Sequence, residues 1–132
     1  LTIAFIAKNF SRFSALVARL RQEQDIELIP VPTGVVGLEL LRAKRLDLVI
    51  VDEHLDDMTG IEFVKRLVQV NPLANTAIVG SMSTEAFHEA TEGLGVLAQL
   101  PPRPVEADAE ALLATLARIT GLIGTAPKAA TP

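Results

Sequence analysis

LDLVIVDEHLDDMTGIEFVKRL, residues 46–67, is the stretch on which the reading of this chain turns. Its first part is apolar without interruption from Leu48 to Val51, as suits a strand buried on both faces, and it ends on the carboxylate of Asp52. A carboxylate after such a run is costly in an apolar interior, so Asp52 is expected at the solvent edge of the strand or paired. The second part begins with a capping box, Thr59 with Glu62, and Gly60 lies between them. Phe63, Val64, Leu67 and Val68 follow at the spacing of one apolar helix face.

The same alternation extends in both directions. Strand-length runs are predicted at Thr2–Ala7, Ile26–Val31, Leu46–Val51, Ala77–Ser81 and Val96–Leu100. Helical spacing connects Phe10, Phe13, Leu16, Val17 and Leu20, and again Val36, Leu40 and Leu41. A shorter fourth helix takes Ser83 or Thr84 as its cap and turns Phe87 and Ala90 inward. A long fifth helix carries Leu112, Leu116, Ile119 and Ile123 on one stripe, with Glu106, Asp108 and Glu110 near its N-terminus, where acids are favoured. Strand–helix alternation of this kind predicts an α/β domain, a five-stranded parallel sheet wound on both faces by five helices, over residues 1–123. The small, Pro-containing stretch 124–132 reads as a disordered tail or the start of a linker.

Composition narrows the function classes. Hydrophobic residues make up 49% of the 132, too many for a disordered chain, and no apolar run approaches a membrane span. Twelve Lys and Arg against sixteen Asp and Glu, without a clustered basic patch, argue against direct nucleic-acid binding. The absence of Cys excludes disulfides and thiolate chemistry and fits a cytoplasmic setting. The chain starts without Met, so a segment of a longer protein is expected. In a doubly wound sheet, ligands bind beyond the carboxyl ends of the strands, which selects Ala7 and Lys8, Asp52, Ser81 and Pro101–Pro104 as the places for chemistry.

Residues 46–67 resemble the third strand, acidic loop and third helix of a bacterial response-regulator receiver domain: an Asp at the strand end, then Met-x-Gly before an amphipathic helix, here Asp52, Met58 and Gly60. PTGVVGLELLRAKRLDLVIVD is similar to the family's second helix running into that strand. The resemblance covers about residues 2–120 and is strongest between Thr33 and Leu67. It implies a flavodoxin-like, CheY-like fold and a response regulator in a two-component phosphorelay. Asp52 would be the phosphoacceptor, attacking a phosphoryl group carried on a kinase histidine. The domain would not otherwise be an enzyme.

The family site also holds Mg²⁺ on Asp52 and on acidic residues at the end of the first strand. Ala7 and Lys8 stand there and neither is an oxygen ligand, so weak Mg²⁺ binding is expected. Lys8 reads either as a solvated loop lysine or as a cation paired with Asp52, and the pairing is expected because a nearby opposite charge favours the ionised carboxylate. Glu53, Asp56 and Asp57 are three loop carboxylates able to contribute to a weaker cation site, and His54 is placed at the rim. Ser81 matches the family's phosphoryl-contacting hydroxyl, with an ordinary turn serine as the plainer reading. No Lys matches the family's Lys-Pro after the fifth strand; Arg103 is the nearest cation. Leu97 or Gln99 occupies the place of the family's switching aromatic. His54 and His88 share no ligand spacing that would suit zinc.

The implied partners are a histidine kinase or phosphotransfer protein and an output domain beyond Pro132. A homodimer through the fourth helix, fifth strand and fifth helix is a further expectation, resting on Ile119, Leu122 and Ile123. The alternative on the same fold is a phosphorylation-independent pseudo-receiver that serves as an interaction or dimerisation module. A flavodoxin-type cofactor site is disfavoured because AKNFSRF lacks the glycines of a phosphate-binding loop, and no nucleophile elbow or Ser–His–acid set points to a hydrolase.

Overall fold

The computed structural model describes residues 1–120. The expected domain end at 123, the apolar Leu122 and Ile123, and the tail 124–132 lie outside the described residues. Five parallel strands, β1 (Thr2–Ile6), β2 (Glu27–Val31), β3 (Leu48–Asp52), β4 (Thr76–Val79) and β5 (Val96–Leu100), form one sheet in the order β2-β1-β3-β4-β5. The helices are α1 (Ser14–Arg21), α2 (Gly34–Ala43), α3 (Gly60–Val70), α4 (Thr84–Thr91) and α5 (Glu106–Thr120), and a 3-10 turn at Ser11–Phe13 leads into α1.

The period-two alternation of the strands divides the core into two layers. Ala4, Ile6, Val49, Val51 and Ile78 face Leu38 and Leu41 of α2, Phe63, Val64 and Leu67 of α3, and Phe87 of α4. Ile3, Phe5, Ala7, Leu48, Ile50, Ala77 and Val79 face Leu16 and Leu20 of α1, and Leu112 and Leu116 of α5. The doubly wound arrangement expected from the sequence is therefore present. Pro30 sits within β2, an edge strand, where its missing N–H costs the sheet least.

The inward face of α2 differs from expectation. Val36 is exposed and Leu40 only half-buried, while Gly34, Gly37, Leu38 and Leu41 are buried. The glycines explain the change by letting the helix come close to its neighbours. A Cβ at Gly37 would stand 2.7 Å from Ile6 Cδ1, and one at Gly34 would stand 2.6 Å from Met58 Sδ. On α5, Leu112 and Leu116 are buried but Ile119 is 49% exposed, so the stripe outruns the sheet it covers. α3 begins on the predicted capping box, with Thr59 Oγ1 accepting from Glu62 N–H and Glu62 accepting from Thr59 N–H. Ser83, rather than Thr84, caps α4.

Candidate functional site

Asp52 is the last residue of β3 and not the first residue of the loop, and only 1% of its surface is exposed. It lies at the carboxyl end of the sheet next to the point where strand order reverses between β1 and β3, the position at which this class of sheet binds ligands. Alternation along β3 sends its side chain to the same layer as Leu48 and Ile50, the layer covered by α1 and α5. There it meets a cation the sequence reading did not single out. Arg12 Nη2 donates to Asp52 Oδ1 at 2.9 Å and to Oδ2 at 3.0 Å, and the same guanidinium donates from Nε to the carbonyl of Pro102 at 3.1 Å. The guanidinium carbon lies 4.5 Å from the centroid of the Phe13 ring, which holds it in register. Asp52 Oδ1 also accepts from Glu53 N–H at 2.9 Å.

The expected partner, Lys8, is exposed and forms no ion pair among the described residues. The reason is parity. Ala7 packs in the layer into which Asp52 points, so the following residue turns away from it. The 3-10 turn then carries Arg12 over the strand ends, where its longer side chain spans from β3 to the loop after β5.

The loop carboxylates are committed elsewhere. Glu53 reaches toward β4, where its oxygens accept from Ser81 N–H at 3.3 Å and from Ser81 Oγ at 3.4 Å. Ser81 is thus tied to Glu53, its hydroxyl two residues beyond the end of β4. Asp57 turns to the start of α2 and accepts from Gly34 N–H and Val35 N–H, each at 2.9 Å. His54 and Asp56 are exposed, His54 pairing with Thr59 in an isolated antiparallel bridge. Arg103 is exposed as well, and the contribution of its loop to the site is the Pro102 carbonyl. His88 lies exposed on α4.

Gln99 on β5, one of the two residues expected near the place of a switching aromatic, makes a two-way clasp with the β4–α4 connection. Its Nε2 donates to Met82 C=O at 2.9 Å, and its Oε1 accepts from Met82 N–H at 3.0 Å. No rotating ring is involved; the amide fixes the loop to the strand.

A divalent cation does not fit this arrangement. Mg²⁺ asks for several oxygen ligands in a near-octahedral set. Here both oxygens of Asp52 face a guanidinium, β1 runs out into Ala7 and Lys8, Glu53 is turned to Ser81, and Asp57 to α2. Among the described residues, no three His, Cys, Asp or Glu side chains gather into a set able to hold a metal ion.

Asp57 makes a pH prediction. Partial burial pushes its carboxyl up, but the N–H groups of Gly34 and Val35, its own N–H and the charge of Arg66 outweigh that, and it is held below its ordinary value. A depressed carboxyl binds protons less readily folded than unfolded, so its stabilisation is complete above the unfolded pKa of about 3.9 and is lost as pH falls through the lower folded value. Asp57→Asn is therefore expected to lose stability less steeply than the parent below about pH 4. Denaturation midpoints measured across that range check this; parallel curves would contradict it.

No protein-family model and no curated protein sequence matches the chain. Solved structures do. The signal receiver domain of an HD domain-containing protein from Pseudomonas fluorescens superposes with a TM-score of 0.78 at 18% identity, covering 92% of this chain and 89% of its own. A CheY-like response regulator receiver domain protein from Methanospirillum hungatei gives 0.76 at 19% identity, covering 89% and 94%. The chemotaxis response regulator CheY4 of Vibrio cholerae gives 0.76 at 16% identity, covering 87% and 97%. The chain has the fold of response-regulator receiver domains.

Proposed function

We propose that this domain is a pseudo-receiver: a receiver fold that serves response-regulator signalling as a protein interaction module and runs no phosphorylation cycle at Asp52. The observation that supports the reading is the Arg12–Asp52 pair. A carboxylate that attacks phosphorus needs an oxygen lone pair directed at open space and cations arranged around the incoming phosphoryl group. Both Asp52 oxygens accept from Arg12, one also accepts from Glu53 N–H, and the residue is almost wholly enclosed. The positive charge a metal would bring is already supplied, without a metal's coordination.

The same contacts favour a fixed output face. Arg12 ties the start of α1 to the β5–α5 loop, and Gln99 ties β5 to the β4–α4 loop. The α4–β5–α5 face is thereby held from both ends, so assembly on it, as a homodimer or against an output domain, proceeds without modification. Val105, just before α5, and Ile119, near the end of α5, are exposed apolar residues. The receiver domain of the Pseudomonas protein belongs to an HD domain-containing protein, which is in keeping with a module joined to an effector. No helix among the described residues is long and apolar enough to cross a membrane.

Incubation with acetyl phosphate and Mg²⁺, followed by intact-mass measurement, tests the proposal. The parent is expected to keep its mass and its oligomeric state by light scattering. A phosphoryl adduct that maps to Asp52 would overturn the reading in favour of a working phosphoacceptor.

A further inference from the structure

A cavity of about 230 Å³ opens between α1 and the β1–β2 edge of the sheet, lined by Phe5, Phe10, Val17, Leu28 and Pro30, with Arg21 at its rim. Asp52 is not among its lining residues. The walls are apolar, and Phe5 and Phe10 meet edge to face at 5.3 Å. α1 ends at Arg21 and leaves this end of the β2 strand half-covered: Leu28 is half-buried and Pro30 exposed. Arg21 makes no ion pair among the described residues, and no acid lines the cavity. Arg19, two residues earlier, is by contrast paired with both Glu23 and Glu110.

An apolar cavity of roughly 150 Å³ is enough to take a benzene ring, and drug-sized ligands occupy pockets of about 300–1,000 Å³. The space here suits one ring with a short polar arm. A single unpaired guanidinium at the mouth, with aromatic walls behind it, selects the polar end as an anion. We propose that this cavity is a binding site for a small aromatic monocarboxylate, the ring seated against Phe10, Val17 and Leu28 and the carboxylate facing Arg21. Phe5 also packs against Phe13 at 5.0 Å, and the Arg12 guanidinium lies over Phe13, so the cavity and the Asp52 end of the sheet share one aromatic wall. Ligand binding in the cavity requires no particular state of Asp52, which does not line it.

Phenylacetate and its uncharged amide, phenylacetamide, are the probes, titrated into the full chain and followed by amide chemical shifts. Phenylacetate is expected to give saturable shifts centred on Phe10, Val17, Arg21 and Leu28. The amide, or phenylacetate on Arg21→Gln, should bind about fivefold more weakly, as for the loss of one partly exposed ion pair. Val17→Trp, checked for folding by circular dichroism, fills the cavity and should abolish binding of both probes. Absence of saturation, equal affinity for acid and amide, or binding that survives Val17→Trp would each overturn the proposal; equal affinity would mark a pocket for an apolar side chain instead.

Discussion

Gly60→Ala is expected to lower the unfolding free energy by about 3 kcal/mol, at the upper end of what overpacking costs. The added Cβ would stand 2.6 Å from the backbone oxygen of Asp52 and 3.1 Å from Glu53 Cα. A flexible side chain can swing away from such a contact; backbone at the end of a central strand cannot. Either β3 must retreat, pulling Asp52 from Arg12, or the first turn of α3 must lift off its capping box. For a domain of this size the loss corresponds to a fall in melting temperature of roughly 10 °C. Gly93→Ala is the control: its φ is 79° but nothing lies within 4 Å of the added Cβ, so it pays only for left-handed backbone, about 1 kcal/mol. Thermal and urea denaturation of the two variants check the contrast, and equal losses would contradict it.

Arg12→Ala is expected to cost about 2 kcal/mol. Removing one partner of a buried pair typically costs 3–5 kcal/mol, because the other charge stays enclosed. Here the Arg12 side chain is 33% exposed, and solvent screening reduces the figure. Asp52→Ala should cost less, since it leaves a guanidinium that reaches water and keeps the Pro102 carbonyl. The double variant should be more stable than the sum of the two losses implies, by about 1 kcal/mol or more. Urea denaturation of the four proteins gives this coupling directly. Additive losses would mean that the pair contributes nothing beyond its separate parts.

The fold was legible because burial on both faces leaves a plain record in sequence. Leu48–Val51 reads as a central strand, and Thr59 with Glu62 marks the start of α3 before any coordinates are known. The Met58-x-Gly60 motif acquires a physical cause in the structure: Met58 fills the space left at Gly34, and Gly60 passes over the end of β3. The face of α2 was misread because it is built on Gly34 and Gly37, which add nothing to a hydrophobic pattern yet decide how near the helix comes.

The site was legible in its place and not in its partners. Asp52 ends an apolar strand, and that fixes it at the sheet's carboxyl end. Which cation would meet it depended on the parity of β1 beyond Ala7 and on a 3-10 turn that no spacing in AKNFSRF announces. Period two, applied to Ala7 and Lys8, would have turned Lys8 away from Asp52. Asp57 binds backbone N–H groups 22 and 23 residues earlier in the chain, a contact set by the path of two loops and not by any local motif.

That Arg12 holds Asp52 in place of a metal is tested most directly by Mg²⁺ titration followed by the amide shifts of Asp52 and Glu53. The parent is predicted to show no saturable change at these positions at millimolar Mg²⁺. Saturation there, with shifts centred on the end of β3, would contradict it.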